Sequence, residues 1–215
     1  MATTNQHAGD WDAADVPVVP TQMGEAQFEA WAFANRDVRA EWVDGKVVIM
    51  SPVSRDHAAV SIWLTHLLSA FLEARPLGEL LGPEFMIRLG DGKSRRVPDL
   101  LFVCDARRRL VNETFLDGAP DVAIEIVSRD SQSRDRREKY LEYEAAGVRE
   151  YWIVDPLSQR FEAYRLSDGG KFAPIDEQDG KFHSTVLDGF YLRNDWLWAT
   201  PRPTVKNVLK ELGID

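Results

Sequence analysis

A single cysteine, Cys104, is the only thiol in the 215 residues. One cysteine forms no internal disulfide and builds no cysteine-based zinc site, and such usage fits a reducing cytoplasm. Cys104 follows an apolar run and precedes Asp105, which reads as a structural position. No apolar run approaches the roughly 20 residues needed to cross a bilayer, so no membrane partner is expected. The N-terminus is polar and acidic, without the pattern of a secretory signal. Basic charge is also short. Lys and Arg number 26 against 35 Asp and Glu, a net charge of -9, which argues against a protein that coats nucleic acid generally. Internal repeats, low-complexity tracts, linkers, zinc-finger spacing, a helix-turn-helix pattern and an RNA-binding signature are all missing.

The length supports one domain with a substantial core. Residues 1–20 lack a periodic apolar pattern and read as a loose N-terminal tail in which Trp11 alone offers a docking side chain. Residues 21–215 read as that single domain. Charge is unevenly spread along it. From Arg88 to Lys139 there are 12 Lys/Arg and 10 Asp/Glu, while the remainder has 14 against 25. The basic excess fits either a phosphate-contacting rim or solvated loops.

Two short apolar runs each carry a carboxylate they do not need. These are Val97-Pro98-Asp99-Leu100-Leu101-Phe102-Val103 and Asp121-Val122-Ala123-Ile124-Glu125-Ile126-Val127-Ser128. Rich in Val, Ile and Leu and punctuated by Pro98 and Pro120, both read as buried strands. A charge in such a strand is costly unless it is paired or holds a metal. Asp99 and Glu125 therefore suggest either a divalent-cation site built from oxygen donors or, equally, a turn residue and a buried ion-pair partner.

Beyond Ser128-Arg129-Asp130-Ser131, which supplies N-cap chemistry, residues Gln132 to Ala146 read as a helix closed by Gly147. Arg136, Lys139, Tyr140 and Tyr143 share one face at helical spacing. Lys139 would sit at the rim of the apolar stripe, reaching over the strand that carries Glu125 or snorkelling to water.

Elsewhere, Gly24 to Asn35 suggests a short amphipathic helix. Asp44-Gly45 marks a hairpin between Val38–Val43, which carries Glu41, and Lys46–Met50. Asp56 to Ala74 is the clearest helix, with Ser54 or Asp56 to cap it, His57 in its first turn and a wide stripe from Val60 to Leu72. His66, nine residues after His57, is poorly spaced to share a metal with it. Strands are expected at Pro83–Leu89, Glu150–Val154 and Phe161–Leu166 with Lys171–Phe172, short apolar pieces at 185–187 and 190–192, and a terminal helix at Thr204–Leu212. Residues 104–118 read as a polar connection. Trp42, Trp63, Trp152, Trp196 and Trp198 fall inside apolar segments and read as packing residues.

The ordered set of longer blocks is more specific. Glu41-Trp42-Val43-Asp44-Gly45-Lys46-Val47-Val48-Ile49-Met50-Ser51-Pro52 followed by His57, then Ala119-Pro120-Asp121-Val122-Ala123-Ile124-Glu125-Ile126-Val127-Ser128, then Arg137-Glu138-Lys139-Tyr140, then Ala146 to Pro156, resembles the Uma-type family of putative restriction endonucleases. Pro98-Asp99 with Glu125 resembles the wider PD-(D/E)XK nuclease pattern. The resemblance covers about residues 23 to 200 and implies an α/β (α+β), restriction-endonuclease-like core, with a central mixed β-sheet flanked by α-helices. It implies hydrolysis of DNA phosphodiester bonds with Mg2+ or Mn2+, and by analogy a homodimer. Asp99, Glu125 and the main-chain carbonyl of Ile126 would be metal ligands, Glu41 a further acid near the metal, and His57 a residue bordering the site. The superfamily's simplest form places a lysine two residues after the second acid, where this chain has Val127. The resemblance suggests that Lys139 supplies the ammonium instead, with Gln132 and Arg136 as rivals for that space. A non-catalytic nucleic-acid-binding or regulatory module on the same scaffold is the alternative.

Overall fold

The computed structural model describes residues 20–214 apart from 36, 129, 130, 132 and 133. The expected tail up to residue 19, Trp11 and Gln132 lie outside the described residues. Helix α1 (Glu25–Ala34) leads into the hairpin β1 (Ala40–Val43) and β2 (Lys46–Ile49). Asp44 and Gly45 have φ of 45° and 87°, the left-handed pair that a tight two-residue hairpin turn requires. Helix α2 (Arg55–Ala74) follows, its first turn capped by Ser54, whose Oγ accepts the His57 N–H at 3.2 Å. Then come β3 (Gly78–Leu81), β4 (Met86–Leu89), β5 (Ser94–Arg96), β6 (Leu100–Cys104), β7 (Phe115–Asp117) and β8 (Val122–Ile126). The chain closes with α3 (Lys139–Ala146), β9 (Glu150–Asp155), β10 (Arg160–Leu166), β11 (Phe172–Pro174), β12 (Phe182–His183), β13 (Tyr191–Leu192), α4 (Asn194–Trp198) and α5 (Val205–Glu211).

A six-stranded mixed sheet in the order β11-β10-β9-β8-β6-β3 forms the centre. Only its β8–β9 pair is parallel, and α3 is the helix of that crossover. Side chains alternate cleanly across this sheet. On one face Leu100, Phe102, Val122, Ile124, Trp152 and Val154 pack on the apolar stripe of α2 and, beyond it, on Val208 and Leu212 of the C-terminal segment. On the other face Leu101, Val103, Ala123, Tyr151 and Ile153 pack on Tyr143 of α3 and on Ile87, Leu89 and Leu116. Those last three belong to a five-stranded sheet, β2-β1-β5-β4-β7. Helix α1 covers the hairpin end of that sheet, with Phe28 against Trp42. Ion pairs from Arg95 on β5 to Glu25 and Glu29 fasten the helix there. The result is the mixed α/β architecture expected, a central sheet flanked by helices, with a second sheet sharing one flank.

Several local expectations are corrected. Regular strand begins at Leu100, and Val97-Pro98-Asp99 is instead the link by which the chain passes from one sheet to the other. Pro98 has no N–H to give to a ladder, which suits it to that crossover. The helix expected from Gln132 opens, where described, as a π-helical turn over Arg134–Glu138 before α3 begins. Strand β7 lies in the stretch read as a polar connection, and β3 and helix α4 lie where no element was expected, because each is too short to show a period. Gly147 ends α3 at φ 83°, as expected of a C-cap. Among the described residues no helix is long and apolar enough to cross a membrane.

Candidate active site

The alternation of β8 decides where Glu125 points. Val122, Ile124 and Ile126 pack on the α2 side, whereas Ala123 and Val127 pack on the α3 side. Glu125, in step with the latter pair, faces α3. Its Oε1 accepts the Tyr143 hydroxyl at 2.7 Å and lies 2.8 Å from Lys139 Nζ. Both partners come from the same helix, four residues apart.

Asp99 reaches the same place from the crossover between the sheets. Its Oδ2 accepts the backbone N–H of Ile126 at 2.7 Å, which docks the crossover against the end of β8. Its Oδ1 lies 3.2 Å from His57 Nε2, at the start of α2. Three elements, the crossover, β8 and α2, therefore converge through one carboxylate.

Lys139 is only 1% exposed, so snorkelling to water is excluded. Besides Glu125, its ammonium lies 3.0 Å from Glu41 Oε1 and 3.6 Å from Asp135 Oδ1. Glu41, on β1, is itself fully buried. Its Oε2 accepts from Arg96 at 3.0 Å and its Oε1 from the Val97 N–H at 3.2 Å. Arg96 continues the chain of charges to Glu142 at 2.6 Å. Three buried carboxylates, Glu41, Glu125 and Asp135, thus crowd around one ammonium, with the Asp99 carboxylate close to Glu125, the Arg96 guanidinium against Glu41, and Arg39 and Arg134 lining the same cavity.

The crowding sets the titration behaviour. Burial would raise Glu41, but Lys139 and Arg96 beside it bring its pKa down to about 2. Burial raises Glu125, and the pull of Lys139 is opposed by the negative Asp135, Asp99 and Glu41, so its pKa rises to about 8. Burial likewise raises Asp135. Lys139 loses by desolvation and gains more from Glu125, Glu41 and Asp135, so it is held well above the usual lysine range and stays protonated.

One cavity of about 100 Å3 is lined by Asp99, Glu125, Ile126, Asp135, Lys139 and His57, with Glu41 behind Lys139 and not on its surface. Ile49, Met50 and Val53 form an apolar lip on it. The volume suits an ion with a few waters, each of which fills about 30 Å3 in the liquid. Among the described residues no set of three or more His, Cys, Asp and Glu side chains is gathered so as to hold a metal ion by itself. The reason is visible in the partners: Asp99 turns one oxygen to Ile126 N–H, and Glu125 turns one to Lys139 and Tyr143.

The structure brings together Asp99, Glu125, Lys139, Glu41, His57 and Ile126. It does not bring Arg136 to the cavity. The π-helical turn sends that guanidinium to Asp155 and Glu162, each 2.9 Å away, at the end of β9 and on β10. His66 is exposed on α2, far from ligation chemistry. Sequence reasoning missed Asp135, although its place four residues before Lys139 was a usable signal. It also missed the pairing of Arg96 with Glu41, for which no local pattern exists, because the two lie on strands that meet only through the second sheet.

Comparison with known proteins gives the family through one match over most of the chain. The model of the Uma2 family, described as "Putative restriction endonuclease", matches residues 25–193. An uncharacterized protein of Synechocystis sp. is 22% identical over 158 residues, covering 73% of this chain and 81% of the relative. A crystal structure titled as a putative nuclease belonging to DUF820 from Anabaena variabilis superposes with a TM-score of 0.63 at 20% identity, covering 74% of this chain and 89% of the other. At that identity the likeness is one of fold. With the family model spanning both β1 and the Lys139 helix, the chain belongs to the Uma2 family.

Proposed function

We propose that the chain is an endonuclease that hydrolyses phosphodiester bonds of DNA with the help of Mg2+ or Mn2+. The observation that carries this reading is the meeting of Asp99 and Glu125, from separate segments, in one cavity against the buried ammonium of Lys139. The residues fit a hard cation. The donors are oxygens, the atoms such an ion takes, and Asp99 and Glu125 both face the cavity. Asp99, Glu125 and the main-chain carbonyl of Ile126 would hold the ion. When bound, such an ion polarises the phosphoryl group and lowers the pKa of bound water.

The remaining residues have distinct work. Lys139, its pKa held up by Glu125, Glu41 and Asp135, presents a positive charge where charge develops on phosphate oxygens. Glu41 faces Arg96 and Lys139 with both oxygens, so it anchors the ammonium and is not assigned as a cation ligand. His57 holds Asp99 in place at 3.2 Å. Duplex DNA offers two scissile strands, and a homodimer would present two such sites.

A non-catalytic nucleic-acid-binding or regulatory module is favoured by one observation. Glu41, Glu125 and Lys139 pair among themselves, as a purely structural ion network would. Nicking of supercoiled plasmid separates the two. Wild type is expected to nick with Mg2+ or Mn2+ and to stop with a chelator, and Asp99→Ala is expected to be inert. Plasmid binding without nicking supports the module, and nicking that persists in Asp99→Ala rejects the assigned site.

A further inference from the structure

Neither reading gives Asp135 a task. Its side chain is 1% exposed, it lines the same cavity as Asp99 and Glu125, and its Oδ1 has no hydrogen-bond partner. A buried carboxylate oxygen left unpaired is costly to a folded chain. The backbone nevertheless holds it there. Asp135 lies in the π-helical turn Arg134–Glu138, a rare backbone form that concentrates at functional sites. Its N–H donates to the Ser131 carbonyl at 2.8 Å, and its own carbonyl accepts the Tyr151 hydroxyl at 2.8 Å. Oδ1 stands 3.6 Å from Lys139 Nζ, an ion-pair contact longer than a hydrogen bond, and both groups line the cavity, where one water can touch them together. A water there would accept from the ammonium, donate to Asp135 and sit beside Glu125.

The other basic groups around the cavity are engaged. The Lys139 ammonium is held by Glu125, Glu41 and Asp135. Asp99 and Glu125 are the cation's ligands in the proposed reaction. Glu41 is taken by Arg96, Lys139 and the Val97 N–H. His57 turns its Nε2 to Asp99, and its Nδ1 is the remaining unpaired rival.

We infer that Asp135 is the general base of the hydrolysis, taking a proton from the attacking water on its free Oδ1. This rests on the endonuclease reading. In the step, a water O–H bond breaks and its proton passes to the Asp135 carboxylate. The water oxygen forms a bond to phosphorus, and the bond from phosphorus to the departing ester oxygen breaks with its electron pair. That oxygen is reprotonated from solvent, and Asp135 releases its proton to solvent.

The test compares wild type, D135N, D135A and H57Q in plasmid nicking, with Mn2+ binding followed by calorimetry and folding by thermal unfolding. D135N is expected to lower kcat by about 10^2- to 10^4-fold with KM for plasmid and Mn2+ affinity unchanged. Added formate, a small carboxylate, is expected to restore part of the rate in D135A. If D135N unfolds below the assay temperature, the formate response of D135A decides in its place. Wild-type rate in D135N, a D135A rate indifferent to formate, Mn2+ affinity lost in step with rate, or a kcat loss confined to H57Q each overturns the assignment. A wild type that binds Mn2+ and nicks nothing overturns the endonuclease reading and the base with it.

Discussion

Lys139 Nζ lies 2.8 Å from Glu125 Oε1 although they sit on different elements, a helix and a strand. Two features of the chain create this contact. The alternation of β8 turns Glu125 toward α3, and the π-helical turn before α3 sets Lys139 over the strand. Val127, where a same-strand lysine would stand, is 1% exposed and packs in the apolar cluster with Tyr143 and Ile153. From the helix the ammonium touches Glu125 and Glu41 together.

Removing that ammonium while keeping its stem therefore leaves buried acids without compensation. Lys139→Met is expected to destabilise the fold by about 3–5 kcal/mol, the usual cost of breaking one side of a buried ion pair. Adding Glu125→Gln to the same chain is expected to recover part of the loss, because the second charge is then gone as well. Urea denaturation of the two single variants and the double variant measures the coupling. Strict additivity would mean that the two groups do not act on each other.

Asp99 separates folding from chemistry. Its Oδ2 accepts the Ile126 N–H at 2.7 Å, and an asparagine retains one oxygen for that bond. Asp99→Asn is expected to keep the melting temperature near wild type while cation binding and nicking disappear. Asp99→Ala removes the acceptor too and leaves a buried N–H unpaired, an expected cost of about 1–3 kcal/mol. Thermal unfolding and Mn2+ calorimetry on both variants give the comparison. Cation affinity retained in Asp99→Asn would take that residue out of the binding site.

The crowd of Glu41, Asp99, Glu125 and Asp135 predicts a response to cations that needs no substrate. A ligand that binds only the folded chain stabilises it by about 2.7 kcal/mol at a hundred times its dissociation constant. For a chain of this size that corresponds to a rise of roughly 5–10 °C in Tm. Mg2+ or Mn2+ at saturating concentration is expected to produce such a rise, a chelator to reverse it, and Glu125→Gln to blunt it. Na+ at matched ionic strength is the control. An equal rise with Na+ would indicate screening alone.

The legible parts of the fold are those with a local cause. The period of Val60, Leu64, Leu67, Leu68 and Phe71 announced α2, and Asp44-Gly45 announced the first hairpin. Glu125 stood out because an acid inside Val-Ala-Ile-x-Ile-Val has to be accounted for. What stayed hidden depended on distant pairing. Ser94–Arg96 and Leu100–Cys104 are nearly continuous in sequence yet belong to different sheets, and only their partners reveal the break at Val97-Pro98-Asp99. The π-helical turn was equally invisible. It rotates Arg136 away to Asp155 and Glu162 and turns Asp135 inward, which regular helical spacing from Gln132 would not foretell.

Asp121 carries the acid sensitivity of the far end of the sheet. At the start of β8, its Oδ2 accepts the Cys104 N–H at 2.8 Å and its Oδ1 lies 3.2 Å from both Arg107 and Arg149. Burial pushes its carboxyl up, but the Cys104 N–H and Arg107 outweigh that and hold it below the ordinary 3.8. Glu41 behaves alike, held near 2 against an ordinary 4.5. Both folded values lie below the unfolded ones, so on acidification the unfolded chain takes up protons first. Their contribution to stability is complete above about pH 4.5 and is lost as the pH falls through the folded values, which for Glu41 is about 2. Glu125, displaced upward to about 8, has already titrated above this window and does not mask the effect. Asp121→Asn is expected to be less stable than wild type near neutrality, by about 1–3 kcal/mol. It is also expected to lose stability less steeply with acid, so that the two curves converge at low pH. Urea midpoints measured at successive pH values show the convergence directly. Parallel curves would mean that Asp121 is protonated no more readily in the unfolded chain than in the folded one, and that its bonds to Cys104, Arg107 and Arg149 contribute nothing dependent on its charge.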